Sequence, residues 1–170
     1  VTNHAKAFSY VKESVSKNLP LDEATTKDIH ALLMENIIIG GIYRNVEVRI
    51  TGAGFNPPTP NEMYRQIKDF FATLPYRTDL NPIELAAYTH AEFVKIHPFI
   101  DGNGRTSRML MNYQLMKNGY LPVSIAKENR LEYFDALEAY ATNDNLMPFV
   151  EMIASLEEKR LDEYLSICKQ

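Results

Sequence analysis

The sequence lacks most of the features that mark secreted, membrane-inserted and nucleic-acid-binding proteins. Cys168 is its only cysteine, so an intrachain disulfide is excluded and a reducing compartment is compatible. It has neither a signal-type start nor an apolar run of about 18 residues, the length that spans a bilayer. The net charge is −4 and basic residues form no block, which disfavours nucleic acid and anionic membranes as partners. We therefore expect a cytoplasmic protein.

Apolar residues make up 45% of the 170 residues, enough for one domain with a buried core. Most of them recur at spacings of three and four residues, which is typical of amphipathic helices. The clearest helix start is Asn81, followed by Pro82 at the first helical position and Glu84 at the third. The predicted helices cover approximately residues 8–15, 29–37, 63–74, 82–96, 105–116, 131–140 and 147–165.

One segment shows the pattern of a strand instead. Val46, Val48 and Ile50 alternate with polar residues, the period of two expected for a half-exposed strand. A glycine-containing turn and a proline-rich return follow, so the pattern predicts a β-hairpin over approximately residues 43–58. An ordinary surface hairpin would give the same pattern. The predicted fold is mainly α, a helical bundle with one β-hairpin.

The run from His97 to Arg108 combines several groups that suit a bound polyphosphate. The residue before a proline is pushed out of the α region, so His97 is expected to close the preceding helix. Gly102 and Gly104 leave the backbone free to turn its N–H groups toward an anion. Arg105 is expected to open the next helix, whose N-terminus attracts phosphate, with Arg108 on the same face.

The same run offers a base and a metal ligand. Asp101 is a lone carboxylate, which suits Mg²⁺ because this ion keeps several waters and takes further ligands from phosphates. His97 is the only imidazole in the run, and an ordinary pKa of about 6.5 suits a general base. His30 and His90 have no metal-spaced partners, so we interpret His30 as packed or solvated and His90 as packed or as a support behind the site.

Taken singly, each of these residues is as well explained by a surface turn and a solvated helix start. Taken together, they resemble the Fic (Fic/Doc) family, whose motif is His-Pro-Phe-x-Asp/Glu-Gly-Asn-Gly/Lys-Arg-x-x-Arg. Every fixed position of that motif is present in residues 97–108. The resemblance implies a single Fic domain over residues 1–170, with a leading helix in residues 1–21 and a core from about 22 to 164.

By this resemblance, the chain would be a protein adenylyltransferase that moves AMP from ATP to a Ser, Thr or Tyr hydroxyl and releases pyrophosphate. His97 would accept the hydroxyl proton, and Asp101 would hold Mg²⁺, with Mn²⁺ as an alternative. Asn103 and the N–H groups of Gly102 and Gly104 would bind the phosphates, with Arg105 at the transferring end and Arg108 at the γ-phosphate. The family pattern also associates glycine at position 104 with AMP transfer and lysine with phosphoryl transfer.

Two further regions take roles from the resemblance. The predicted hairpin would be the flap of the family, and Val46, Glu47 and Val48 would bind an extended segment of the target protein by main-chain pairing. Tyr133, Phe134 and Tyr140 fall where the family binds adenine. Phe134 is equally well placed for the core, since it is in phase with apolar neighbours.

Many Fic proteins carry an inhibitory helix, Ser/Thr-x-x-x-Glu-Gly/Asn, whose glutamate pairs with the second motif arginine, here Arg108. Residues 124–129 fit these letters but coincide with a common core segment of the family. Two other segments depart from the motif, because Ser14 follows Glu13 where Gly or Asn is needed and Lys159 replaces the glutamate after Ser155. Since the chain begins with Val1 rather than Met, we expect the inhibitory helix upstream or in trans.

Four other readings of the sequence stay open at this point. The chain could be a nucleotide-binding regulatory domain without turnover, or a Fic enzyme that transfers another phosphate-containing group. It could also modify itself, and a longer form could reverse the reaction.

Overall fold

The computed structural model of the protein describes residues 2–168. This part of the chain forms seven α-helices, with short 3₁₀ turns before α4 and before α6. None of these helices is long and apolar enough to cross a membrane. The helices are α1 (Thr2–Ser16), α2 (Glu23–Met34), α3 (Pro60–Thr73), α4 (Pro82–Ile96), α5 (Asn103–Lys117), α6 (Arg130–Asn143) and α7 (Met147–Cys168).

Helix starts follow local side-chain chemistry. The Asn81 side chain accepts hydrogen bonds from the N–H groups of Ile83 and Glu84, and the Glu84 carboxylate accepts one from the Asn81 N–H. This capping box confirms the predicted start of α4. Asp22 caps α2 in the same way, accepting from the Thr25 N–H at 2.9 Å.

Several predicted helix bounds are wrong. Helices α1 and α2 each begin six residues earlier than predicted, at Thr2 and Glu23. The second helix ends at Met34 rather than near residue 37, because the chain turns there and Asn36 adopts a left-handed φ of 62°. Helix α5 begins at Asn103, two residues before the predicted start at Arg105. In that position the motif glycines and Asn103 belong to the helix start itself.

The predicted hairpin over residues 43–58 is not confirmed, since residues 2–168 contain no strand. The segment runs extended and turns near residue 51, where the Ala53 N–H donates to the Ile50 carbonyl. The guanidinium of the buried Arg44 donates hydrogen bonds to the carbonyls of Val46, before this turn, and Pro58, after it. Pro57 and Pro58 have no N–H to donate, so the second part of the segment has few main-chain donors for pairing with the first part.

The core consists of two apolar clusters that meet at α4 and α5. One cluster joins these helices to α1, α2 and α3, through residues such as Phe93 and Tyr113. The other joins them to α6 and α7, through residues such as Ala91 and Met111. The six-residue loop 97–102 connects the two central helices, so it is anchored at both ends in the buried core.

Candidate functional site

The loop between α4 and α5 (residues 97–102, the motif loop) begins and ends with left-handed residues. His97 is the C-cap of α4 with φ 52°, and its N–H donates to the Phe93 carbonyl at 3.0 Å. Gly102 is the N-cap of α5 with φ 81°. These two conformations reverse the chain sharply, so the end of α4 and the start of α5 face the same cleft.

His97 is held in one tautomer. Its Nδ1 lies 3.2 Å from the Val94 carbonyl, which can only accept, so Nδ1 carries the proton and Nε2 has a free lone pair. Burial, with a further contribution from the nearby Arg44 charge, lowers the pKa of His97 to about 4. The imidazole is therefore neutral at physiological pH and able to accept a proton at Nε2.

The motif loop is fixed from beneath by Asn103. This buried side chain accepts a hydrogen bond from the Phe99 N–H at 2.9 Å and donates one to the Phe99 carbonyl at 2.8 Å. Phe99 itself is fully buried, as a core anchor. Since the Asn103 amide group is occupied within the loop, a bound phosphate would meet the main-chain N–H of Asn103 rather than its side chain.

A buried histidine supports the loop from α2. The ring of His30 stacks on Phe99 with centroids 3.6 Å apart. Its Nδ1 accepts from the Gly41 N–H at 2.8 Å, so Nε2 carries the proton and donates to the Asp101 carbonyl at 2.9 Å. His30 is thus a packed residue with a defined role behind the site. Its apolar neighbours in the sequence indicated burial, but its partners 11 and 71 residues away left no local signal.

The first turn of α5 presents main-chain donors. Gly102, its N-cap, has no side chain to cap the N–H groups of residues 103–105. A Cβ at Gly102 would lie 2.8 Å from the Met34 sulfur and 3.1 Å from His30 Nε2, so only glycine fits there. A Cβ at Gly104 would make an ordinary 3.7 Å contact with Arg108. N–H groups without a side-chain cap, together with the helix dipole, are the features that favour an anion at a helix start.

Asp101 is exposed at the mouth of this site. One carboxylate oxygen accepts from the Gly102 N–H at 2.6 Å, and the other lies 3.2 Å from an Arg105 nitrogen. No group of three metal-ligating side chains occurs in residues 2–168. A single accessible carboxylate beside a phosphate site fits Mg²⁺, which completes its shell with water and phosphate oxygens.

Two clefts meet at Arg108. The smaller one, about 350 Å³, contains His97 and the motif loop, and we call it the motif cleft. The larger one, about 860 Å³, runs between α5, α6 and α7, and we call it the α6 cleft. Among residues 2–168, Arg108 is the one residue that lines both clefts.

The three residues predicted to contact adenine lie in different places. Tyr133 and Phe134 line the α6 cleft, whereas Tyr140 does not. The Tyr140 hydroxyl lies 2.5 Å from a Glu92 carboxylate oxygen, on the side of α6 that faces α4. Burial raises the pKa of Tyr133 to about 12, against the opposing effect of the Arg108 guanidinium, and its hydroxyl lies 2.9 Å from His90 Nε2.

Sequence reasoning missed two arginines of the extended segment. Arg49 lines the motif cleft together with Thr51, which places a third guanidinium near Arg105 and Arg108. Arg44 is fully buried and donates to the His97 carbonyl at 2.8 Å. Only the strand alternation pointed at Arg49, and nothing in the local sequence marked Arg44.

None of the weighed inhibitory segments pairs with Arg108. Residues 124–129 form a wall of the α6 cleft and end in a single 3₁₀ turn over residues 127–129 rather than a helix. Glu13 is exposed on α1 and pairs with Lys17. Across residues 2–168, Arg108 forms no ion pair with a carboxylate.

The helical fold and the site together define a class of protein, a helical domain in which a histidine, a helix start without a side-chain cap and arginines share one cleft. Residues 20–115 match the Fic/DOC family, so the chain belongs to that family. This confirms the resemblance inferred from the motif.

Similar proteins support the same assignment. The chain is 38% identical over 163 residues to the protein adenylyltransferase Fic of Drosophila persimilis, an alignment covering 94% of the chain and 32% of that relative. It thus spans about a third of the length of the curated relatives it matches. Fic-1 from C. elegans superposes with a TM-score of 0.86 at 29% identity, covering 99% of this chain and 51% of that one. A Fic-domain signalling protein from Bacteroides thetaiotaomicron gives a TM-score of 0.83 at 26% identity, covering 94% and 68%.

Proposed function

We propose that the protein is a protein adenylyltransferase, which transfers AMP from ATP to a Ser, Thr or Tyr hydroxyl of a target protein. The observation that carries the proposal is the composition of the motif cleft. It brings together a neutral histidine with a free Nε2, uncapped N–H groups of a helix start, and arginines at residues 105 and 108. The curated relatives bear the name of this activity.

The residues of the motif cleft divide the chemistry among them. His97 Nε2 would accept the proton of the target hydroxyl as its oxygen attacks the α-phosphorus of ATP, and the bond to the pyrophosphate leaving group breaks. The N–H groups of residues 103 and 104 would hold phosphate oxygens, and Arg105 and Arg108 would stabilise the charge on the transferring and leaving groups. This reaction needs positioning and charge stabilisation, which a fixed loop supplies.

Asp101 is the residue that would hold Mg²⁺. Its carboxylate is accessible, and its contact with Arg105 is exposed and easily exchanged. The ion, when bound, supplies further charge neutralisation at the phosphates. Arg105, released from Asp101, would then be free to bind a phosphate oxygen.

The α6 cleft is the proposed site of the adenosine end of ATP. This cleft shares Arg108 with the motif cleft, and its half-buried Phe134 provides an apolar wall. The segment over residues 43–58 is the proposed flap, and the exposed residues Val46 and Glu47 are the proposed docking edge for an extended target segment. We propose that Val48 belongs to the same docking edge.

Regulation and context are part of the proposal. Since Arg108 has no carboxylate partner in residues 2–168, an inhibitory glutamate from a segment upstream or in trans could pair with it. A longer chain containing such a segment is expected to transfer AMP more slowly than residues 1–170.

We further propose that residues 1–170 form one Fic domain, because both apolar clusters share α4 and α5. We also propose that this domain works in the cytoplasm.

The decisive experiment incubates the chain with Mg²⁺, a cell lysate and ATP labelled at either the α- or the γ-phosphate, alongside a His97→Ala variant. Protein-bound label from the α-position alone, absent with the variant, is the expected result. The variant should still bind ATP, because His97 does not hold the phosphates. Label from the γ-position would indicate phosphoryl transfer, and no label with tight ATP binding would indicate a regulatory nucleotide-binding domain.

A further inference from the structure

Arg44 is buried in an unusual way for a charged residue. Its side chain is fully inaccessible, and no carboxylate in residues 2–168 forms an ion pair with it. All three guanidinium nitrogens instead donate to main-chain carbonyls, those of His97 at 2.8 Å, Val46 at 2.9 Å and Pro58 at 2.6 Å. Burying an unpaired charge is costly, and a chain that needed only to fill this volume would be more stable with an apolar side chain.

The three acceptors belong to three separate parts of the site. His97 is the proposed base at the end of α4, Val46 lies on the outgoing arm of the flap, and Pro58 lies on its returning arm. The main chain of Arg44 adds a fourth bond, from its N–H to the Pro98 carbonyl at 2.9 Å. Arg44 therefore connects both arms of the flap to His97, the proposed base.

The phosphate-binding part of the motif loop is supported by other residues. Asn103 fixes the loop through Phe99, and His30 fixes it through the Asp101 carbonyl. Neither of these contacts involves Arg44. Loss of the Arg44 bonds should therefore loosen the flap and leave the nucleotide site largely intact.

We propose that Arg44 is a positioning residue that fixes the flap relative to His97, so that a target segment docked on the flap presents its hydroxyl to Nε2. The role requires a guanidinium, because a planar fork can reach three carbonyls in different directions, whereas a lysine ammonium is a single point. This inference rests on the proposed function, since it assumes that the flap binds the target.

Two substitutions separate the positioning role from simple packing. Arg44→Met keeps an unbranched apolar stem in the core and removes every side-chain hydrogen bond, and Arg44→Lys keeps the charge but loses the fork. Arg77→Lys is the matched control. Arg77 also makes a forked contact, with Asp79 at 2.9 Å and 3.0 Å, but it lies outside both clefts.

The first readout is amide hydrogen exchange across residues 42–50, measured without nucleotide or target. Loss of the three side-chain hydrogen bonds predicts at least about tenfold faster exchange in Arg44→Met of the residue-44 amide, which donates to the Pro98 carbonyl, with unchanged exchange over residues 103–112. The second readout is steady-state AMP transfer. KM for the target protein should rise about tenfold and kcat should fall, because the base and the hydroxyl are no longer aligned, while the Kd for Mg²⁺-ATP changes less than about threefold.

Several results would overturn the proposal. One is Arg44→Met with wild-type flap exchange and wild-type KM for the target, which would make Arg44 a packing residue. Another is a parallel loss of ATP affinity and target affinity, or the same changes in Arg77→Lys, which would indicate general destabilisation. If the wild-type protein transfers no AMP, the proposed function fails, and the exchange comparison still decides whether Arg44 fixes the flap. If Arg44→Lys does not fold, Arg44→Met carries the test.

Discussion

His97 shows how two contacts set the chemical state of one residue. The Val94 carbonyl selects the tautomer, and burial removes the charged form over most of the accessible pH range. The sequence alone suggested an ordinary histidine with a pKa near neutrality. The structure corrects this to a base that is already neutral well below pH 7.

The pH dependence of AMP transfer tests this state. With the pKa of His97 lowered to about 4, kcat/KM should be independent of His97 between pH 5.5 and 8 and should fall only at lower pH, where the imidazole becomes protonated. Initial rates at subsaturating target across this range provide the measurement, with circular dichroism at each pH to confirm folding. A tenfold loss between pH 7 and 5.5 would contradict a depressed pKa.

Gly102 and Gly104 are predicted to differ sharply, although both belong to the motif. Gly102→Ala places a Cβ in a left-handed residue, 2.8 Å from the Met34 sulfur, so we expect it to lower the free energy of unfolding by about 2–4 kcal/mol. Gly104→Ala meets only an ordinary contact inside a helix and should change stability by less than about 1 kcal/mol. Urea unfolding of the two variants checks this. Equal losses of unfolding free energy in the two variants would mean that the contact between a Cβ at residue 102 and the Met34 sulfur does not destabilise the fold.

For individual residues, the sequence predicted the roles that depend on neighbours in the chain and missed the roles that depend on residues far away in the chain. The motif residues were identified because their spacing carries the chemistry within twelve positions. The buried roles of Arg44 and His30 depend on carbonyls 53 and 71 residues away, respectively. No periodicity or spacing in the sequence encodes such contacts, since they exist only after the helices have packed.

Among the elements, α6 divides the predicted adenine contacts between two faces. Its N-terminal half turns Phe134 toward the α6 cleft, and its C-terminal half turns Tyr140 toward Glu92 on α4. The resemblance to the Fic family placed both residues in one pocket. Only the direction of each side chain, set by packing against α4, separates them.

This division predicts opposite behaviour for two variants of α6. Phe134→Ala should weaken Mg²⁺-ATP binding about tenfold, because an aromatic wall beside a base contributes about 1–3 kcal/mol. Tyr140→Phe should leave the Kd unchanged and lower stability by about 1 kcal/mol through loss of the bond to Glu92. Isothermal titration calorimetry and urea unfolding supply the two measurements. Weaker ATP binding in Tyr140→Phe alone would place the adenosine end elsewhere.

The flap is the element whose structure the sequence predicted least well. Alternation of Val46, Val48 and Ile50 favoured a hairpin, but the segment over residues 43–58 contains no strand. Its carbonyls are used by the Arg44 guanidinium rather than by a cross-strand partner. The helices were easier to predict because their hydrogen bonds are made within the element itself.

At the scale of the whole molecule, buried neutral histidines make stability depend on pH. Burial lowers the pKa of His90 to about 3 and of His97 to about 4, and it lowers that of His30. In the unfolded chain each would titrate near about 6.5, so the unfolded state binds more protons below that pH. The stability contributed by the neutral rings is complete above about pH 6.5 and is lost as the pH falls toward the folded values.

We therefore expect the free energy of unfolding to drop by about 3 kcal/mol between pH 7.5 and 5.5 from His90 and His97 together, with His30 acting in the same direction. Urea unfolding at several pH values measures the slope. The His90→Gln variant should lose about a third to a half of that slope, whatever its absolute stability. A slope equal to that of the wild type would show that His90 is not the group responsible.

The continuity of α4, the motif loop and α5 also bears on how the protein folds. These two helices follow one another in sequence and pack together in the centre of the molecule, so the loop between them closes by local contacts at little entropic cost. The flap contacts this pair of helices through residues that lie more than fifty positions away in the sequence. We therefore expect a refolding chain to form the proposed phosphate site early and the proposed target-binding edge late, so that added nucleotide, and not the target protein, would accelerate folding.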